Sequence, residues 1–336
     1  MPFLPDILQH RSLSIVGLEK NTGKTVCLNY ILRRLDQLGV HVGVTSIGVD
    51  GEQTDAVFAT AKPEITLYNG THFITSEQHY LKRQVVSSIE YVDSQRTALG
   101  PMVTARVLVG GKVLLSGAAS TSTLRRQLRQ LSDMGCRLGI VDGALSRLSL
   151  ASPTVTDAMI LATGAAVSAS VKQLVSRTRF LYNLICLDEV DAALRELLSP
   201  IASGLWGVAD DGTVHDLGIA SAFLIGRSEV DLLRFGKTIF ASGAVSDRLL
   251  RTLASKAKGI TLIARDFTKL FITPEAYSDF VRRDGRLLVL QRSQLIAITL
   301  NPTSPQGFVL DSGSTCNALS DALQTPVYDV MKIPQG

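Results

Sequence analysis

The 336-residue sequence has few cysteines and little charge. Its four cysteines include no Cys-x-x-Cys pair, so they indicate neither a disulfide framework nor a zinc site, and we expect buried thiols in a reducing compartment. With 46% apolar and 19% charged residues, the chain has too much apolar material to be disordered. The net charge of +4 is spread along the sequence, so it does not indicate nucleic-acid binding.

Long hydrophobic runs are also scarce. The most apolar stretch, Ala158 to Val171, has about 14 residues and contains Thr163 and Ser168, whereas a membrane-spanning helix needs roughly 20. The N-terminus lacks the basic and apolar regions of a signal peptide. We therefore expect a cytoplasmic protein that does not enter a membrane.

Metal-binding histidine motifs are missing too. No two histidines have the spacing of metal ligands, so surface roles are expected for all five, which are His10, His41, His72, His79 and His215.

The most informative segment is a glycine-containing loop near the N-terminus. Leu13 to Val16 predicts a short buried strand, residues 17–25 read Gly-Leu-Glu-Lys-Asn-Thr-Gly-Lys-Thr, and the apolar spacing that follows predicts a helix to Leu38. A strand, a glycine loop and a helix in this order are typical of a phosphate-binding loop. Glycines let backbone N–H groups turn toward an anion, and the helix N-terminus adds its positive dipole end.

The residues of this loop have separate expected roles. Lys24 would contact the β- and γ-phosphates and take part in catalysis, and the hydroxyl of Thr25 would bind Mg²⁺. A solvated lysine is the alternative reading of Lys20. The expected nucleotide-binding residues are Gly17, Lys20, Asn21, Thr22, Gly23, Lys24, Thr25 and Val26.

Acidic residues follow two predicted strands. The apolar segment 138–141 predicts a buried strand that ends in Asp142, and residues 40–47 predict a strand that is followed by Asp50. Carboxyl ends of parallel strands form the ligand-binding edge of open α/β sheets. We therefore expect Asp142 to assist Mg²⁺ binding, with an ordinary turn residue as the alternative.

The nucleotide is predicted mainly from missing motifs. No Gly-x-Gly-x-x-Gly follows the first strand, which disfavours a nicotinamide cofactor. No Asn-Lys-x-Asp segment, the usual reader of guanine, occurs. ATP with Mg²⁺ is therefore favoured, and GTP is the alternative.

Strands and helices alternate along much of the sequence, which predicts an α/β fold with a mostly parallel sheet flanked by helices. We expect a P-loop NTPase core in residues 1–187, with a β-rich excursion near 60–120. Residues 188–336 would form a second, smaller α/β domain or continue the first sheet. Within the excursion, adjacent Gly110 and Gly111 predict the tight turn of a hairpin.

The loop also resembles those of known families. Its five residues between the two glycines, Leu18 to Thr22, resemble the loop of dethiobiotin synthetase. Residues 16–25 with Leu28-Asn29-Tyr30 look like the phosphate-loop subunit of lysine 5,6-aminomutase reactivases, the KamB-like family. Further segments similar to this family are 141–144, 156–158, 162–165, 266–271, 301–305 and 327–330.

This resemblance implies a function and partners. The partners would be a MutS-like ATPase and a client aminomutase of lysine or ornithine degradation that depends on adenosylcobalamin and pyridoxal phosphate. Nucleotide hydrolysis would drive release of damaged cobalamin from the client. In the dethiobiotin synthetase and MinD-like group, an acid after the second strand assists metal binding or activates water. That role would fall to Asp50, for which a solvated acidic loop is the alternative.

Two further functions stay open. One is an ATP-dependent ligase or kinase for a small molecule, resembling dethiobiotin synthetase, and the other is a scaffold that binds nucleotide without turnover. MinD-like proteins carry a signature lysine five residues before the loop lysine, where this chain has Glu19. The signature lysine is therefore missing at this position, which gives no support for a homodimer. A homodimer stays an open alternative.

Overall fold

Strands and helices follow each other through most of the computed structural model, which describes residues 2–47, 64–118, 120–144, 151–227 and 231–333. The chain divides into unit 1, which is Met1–Arg179 with Gln294–Gly336, and unit 2, which is Phe180–Ser293. None of the described helices is long and apolar enough to cross a membrane.

Most elements of unit 1 lie in the first half of the chain. In order they are α1 (Leu4–Ile7), β1 (Ser12–Gly17), α2 (Lys24–Gln37), β2 (Val42–Ser46), β3 (Ile65–Leu67), β4 (His72–Ser76), α3 (Glu77–Leu81), β5 (Gln84–Thr97), β6 (Gly100–Val113), α4 (Thr121–Asp133), β7 (Leu138–Ala144), β8 (Ala158–Gly164) and α5 (Val171–Ile185), which continues into unit 2.

The elements of unit 2 are shorter. They are α6 (Ala192–Leu198), β9 (Leu205–Val208), β10 (Val214–Ile219), β11 (Thr238–Ala241), β12 (Val245–Ser246), α7 (Asp247–Lys256), β13 (Thr261–Ala264), β14 (Leu270–Phe271), α8 (Pro274–Val281) and β15 (Arg286–Val289), with 3₁₀ helices at Ala222–Arg227 and Phe267–Lys269. Unit 1 then resumes with β16 (Gln294–Asn301), α9 (Ser312–Leu323) and β17 (Val327–Tyr328).

Unit 1 is built on a ten-stranded sheet in the order β17-β16-β8-β1-β7-β2-β4-β6-β3, with β5 paired to β6. The strands from β17 to β4 pair in parallel, and β6 pairs antiparallel with β4, β3 and β5. Unit 2 has a smaller sheet in the order β10-β9-β11-β13-β15. The predicted α/β class, with a large, mostly parallel sheet and a second smaller region, is confirmed.

Helices cover both faces of the central strands, so all six positions of β1 are buried. Side chains alternate along a strand, and Leu13 and Ile15 pack into the core that also contains Leu28 and Ile31 of α2. On the opposite face, Val141 of β7 packs against Leu124 of α4. The long apolar runs in these strands follow from this two-sided burial.

The C-terminal segment returns to the first sheet. Residues 294–336 belong to unit 1 and add β16 and β17 beside β8, whereas unit 2 ends at Ser293. Unit 2 has a core of its own, which includes Leu198, Val208, Phe240 and Ile263. The second half of the chain therefore contains both a separate unit and a continuation of the first sheet.

The hairpin predicted at Gly110 and Gly111 is wrong. Both glycines lie inside β6, and the hairpin turn lies between β5 and β6, where Gly100 has a φ of 88°. A Cβ on Gly111 would lie 2.0 Å from the backbone oxygen of Gln84. A Cβ on Gly110 would lie 2.9 Å from that of Leu67. The glycines therefore permit close approach of neighbouring backbone.

Gly111→Ala tests this explanation. We expect it to lower the free energy of unfolding by about 1–3 kcal/mol, because the added methyl must push β5 away. Chemical denaturation followed by circular dichroism measures the change. Gly313→Ala in α9 is the matched control, since its Cβ would meet nothing closer than 3.8 Å. The control should be neutral or slightly stabilising. Equal stability of both variants and the parent would contradict the explanation.

Candidate functional site

The loop between β1 and α2 has the backbone form of an anion-binding nest. Asn21 has a φ of 62° and Gly23 a φ of 87°, while the φ of Thr22 between them is negative. Such alternation turns successive N–H groups toward one concave side. No side chain in the described part of the chain caps the N-terminus of α2 at Gly23. The first N–H groups of α2 therefore point toward the same region as the nest.

Lys24 folds back over the end of β1. Its Nζ lies 3.2 Å from the backbone oxygen of Glu19, which also accepts a 2.9 Å hydrogen bond from the hydroxyl of Thr22. A Cβ on Gly17 would lie 2.3 Å from the Oγ1 of Thr22 and 2.8 Å from the Nζ of Lys24. Glycine at position 17 is thus required for the lysine to reach its place.

Asp142 lies on the neighbouring strand, on the same face as α2. β7 pairs in parallel with β1, and Asp142 is in register with Ile15. Leu138 and Ile140 point into the core on the α2 side. Because strand side chains alternate, Asp142 points to that side as well, near the start of α2.

Electrostatics link three charged groups at this edge. Burial lowers the pKa of Lys24, attraction by Asp142 opposes this effect, and repulsion by Lys20 lowers the pKa further. Lys20 is exposed and Asp142 is half-buried. Lys20, Lys24 and Asp142 therefore lie within electrostatic range of one another, an arrangement that suits a polyanion bound with a cation.

The strand order reverses at this point of the sheet. After β1 the chain continues to β2 on the β7 side, whereas β8 and then β16 lie on the other side of β1. Open α/β sheets bind ligands outside the carboxyl ends of the strands at such a reversal. The loop, Lys24 and Asp142 all lie at this edge.

Two residues of this edge were missed by the sequence analysis as contributors to the loop. Asn301, at the carboxyl end of β16, donates a 3.1 Å hydrogen bond from Nδ2 to the backbone oxygen of Asn21. Arg177 of α5 forms a 2.9 Å ion pair with Glu19. Asn301 begins segment 301–305, one of the segments similar to the KamB-like family, but no local spacing indicates its contact with the loop, which spans 280 residues of sequence.

Three further predicted site residues are Thr25, Val26 and Asp50. Thr25 is half-buried in the first turn of α2, and the next residue, Val26, is 39% exposed. Asp50 lies outside the described residues.

The expected surface roles are wrong for two histidines. His72 is 3% exposed and His79 is 7% exposed. His72 begins β4 and His79 lies in α3, two elements that both contact β6, and this packing covers the two rings.

Comparison with known proteins gives no relative: a scan of protein-family models, a search of curated proteins and a search of solved structures each find no match to this chain.

Lys24→Met tests the electrostatic description. Because the pKa of Lys24 is lowered in the folded chain, the unfolded chain holds this proton more strongly at neutral pH. Replacing the amine should therefore raise the free energy of unfolding at pH 7, on the order of 1 kcal/mol. The gain should vanish as the pH rises past the ordinary lysine pKa of 10.5.

Denaturant titrations at several pH values measure this effect. Lys20→Met is the matched control, since it removes an exposed amine from the same loop and should give no comparable gain. If Lys24→Met instead lowers the free energy of unfolding at pH 7, then burial of the amine is not the dominant contribution of Lys24 to stability.

Proposed function

We propose that this chain binds a nucleoside triphosphate together with Mg²⁺, ATP in preference to GTP, and hydrolyses it. The observation that carries the proposal is the loop in which Lys24 folds over Gly17 beside a nest of backbone N–H groups. Its place between a central parallel strand and a helix N-terminus supports the same conclusion.

The donor set at the sheet edge fits Mg²⁺. This ion prefers oxygen ligands, and the hydroxyl of Thr25 and the carboxylate of Asp142 supply them from α2 and β7. When bound, Mg²⁺ would neutralise charge on the phosphate oxygens. Asp50 stays a proposed third contributor that would assist the metal or orient water.

The chain's own residues would act on the phosphates as follows. The N–H groups of Thr22, Gly23 and Lys24 would hold the phosphate oxygens. The Lys24 amine, bound to the Glu19 oxygen at 3.2 Å, would exchange that neutral acceptor for an anionic one. A bound anion favours the charged amine, so phosphate binding would offset the burial that lowers the pKa of Lys24. Lys24 would then neutralise charge that develops on the γ-phosphate during in-line attack by water.

The proposed biological role rests on family resemblance. The chain would use its nucleotide state to reactivate an adenosylcobalamin-dependent aminomutase of lysine or ornithine, together with a MutS-like ATPase. The segments 301–305 and 141–144, which carry part of that resemblance, lie at the carboxyl edge of the unit 1 sheet. The contact between Asn301 and Asn21 brings one of them to the loop.

Lys24→Ala tests the proposed hydrolysis. We expect the rate of phosphate release from ATP and from GTP to fall by about 10²–10³, because a positioned charge is removed from the transition state. Lys258→Ala in unit 2 removes an exposed lysine elsewhere and is the control. Circular dichroism verifies that each variant is folded. A Lys24→Ala variant that hydrolyses both nucleotides at the parental rate would overturn the proposal.

The role is tested by asking what stimulates hydrolysis. We expect ATP hydrolysis to rise when an aminomutase carrying inactivated cobalamin and a MutS-like ATPase are added, and the mutase to recover activity. The comparison arm is a panel of small carboxylates. Strong stimulation by one of them would favour the ligase instead, and tight nucleotide binding without turnover under all conditions would favour a scaffold.

A further inference from the structure

Three neighbouring strands of unit 1 begin next to metal-type ligands. The strands β7, β2 and β4 are adjacent and parallel. Cys136 lies two residues before β7, His41 one residue before β2, and His72 is the first residue of β4. Because the strands are parallel, the three side chains meet at the amino edge of the sheet, opposite the edge that holds Lys24 and Asp142.

The three ligand atoms lie close together. The Nε2 of His41 is 2.7 Å from the Nδ1 of His72 and 3.9 Å from the Sγ of Cys136, and all three atoms lie within 4.8 Å of one another. Ligands about 2.0–2.3 Å from a tetrahedral zinc ion lie roughly 3–4 Å from each other. An ion would therefore require a small widening of the His41–His72 pair and a small movement of the Cys136 thiol toward the two rings.

The other ring nitrogens fix the tautomers. The Nδ1 of His41 lies 3.1 Å from the backbone oxygen of Gly135, which can only accept. The Nε2 of His72 lies 2.7 Å from the Oε2 of Glu90. Each of these nitrogens therefore carries a hydrogen. If both rings are neutral, the Nε2 of His41 and the Nδ1 of His72 then carry no hydrogen and face each other at 2.7 Å with their lone pairs. The lone pairs repel unless a proton or a metal ion lies between them.

This arrangement of outer partners is the one that metal-binding histidines use. Their second ring nitrogen typically donates to a carboxylate or a backbone carbonyl, which orients the ring and strengthens the ligand. His72 has the carboxylate of Glu90 and His41 has the carbonyl of Gly135. Gly135 has a φ of 84°, and a backbone hydrogen bond of 2.8 Å from Arg137 to His41 joins the two loops.

We propose that His41, His72 and Cys136 bind one zinc-type divalent ion, with a water molecule as the fourth ligand. Two imidazoles and a thiolate favour zinc and its neighbours over Mg²⁺, which prefers oxygen. His41 also lines a cavity of about 210 Å³, so accessible space adjoins the cluster. The ion would fix the starts of three strands and, through Glu90, the long β5–β6 hairpin.

Proton release accompanies binding at such a site. Cysteine binds a metal ion as the thiolate, so the ion would displace the thiol proton of Cys136, which passes to solvent. Metal uptake should therefore release a proton and weaken as the pH falls.

Cobalt titration of the chelator-treated full chain tests the proposal. We expect one Co²⁺ per chain, with the intense visible bands of tetrahedral cobalt and a near-ultraviolet thiolate-to-cobalt band, and loss of both on addition of Zn²⁺. Cys136→Ser should remove the thiolate band, and His72→Gln should weaken binding strongly. Glu90→Gln should weaken it about 10–100-fold, because it changes only an outer partner.

The matched controls are Cys186→Ser and His215→Gln, which alter a free cysteine and a histidine outside the cluster and should bind cobalt as the parent does. Failure of the folded parent to bind stoichiometric cobalt would overturn the proposal, as would unchanged spectra in Cys136→Ser and His72→Gln. If the protein takes up no cobalt and the His41–His72 pair gives a strongly downfield proton resonance, a shared proton lies between the two facing nitrogens. That result would overturn the proposed metal site. None of these readouts depends on nucleotide hydrolysis.

Discussion

The candidate site depends on the close approach of the Lys24 side chain to the backbone of Gly17. Any side chain at position 17 would occupy the place of the Lys24 amine and the Thr22 hydroxyl. The approach also requires a loop whose φ angles alternate in sign, which Asn21 and Gly23 provide. Burial lowers the pKa of the Lys24 amine because it disfavours the charged form, and a bound anion would favour that form.

The two edges of the unit 1 sheet carry different chemistry. The carboxyl edge has hydroxyl, carboxylate and amine groups around a helix N-terminus, which suit phosphate and Mg²⁺. The amino edge has two imidazoles and a thiol, which suit a softer ion. β2 lies between the edges and is five residues long, so they are separated by about 15 Å. The proposed zinc-type ion would therefore stabilise the sheet without taking part in phosphate chemistry.

Local patterns allowed part of this to be predicted. β1, the loop and α2 are contiguous, so their order and the position of Lys24 follow from residues 12–37 alone. Asp142 could be placed because a buried strand that ends in an acid brings its carboxylate to a known edge. The error at Gly110 and Gly111 has a non-local cause. These glycines admit the backbones of Leu67 and Gln84, and a turn would have had the same sequence.

The sequence by itself determined the α/β class, the phosphate-loop pattern and the carboxyl-edge position of Asp142, because each depends on spacing within one strand, loop or helix. Only the tertiary structure decided which distant residues meet there and at the opposite edge. Asn301 reaches the loop from β16, which follows unit 2 in the sequence. His41, His72 and Cys136 converge because β7, β2 and β4 are neighbours in the sheet, and strand order is set by long-range packing that no local spacing records.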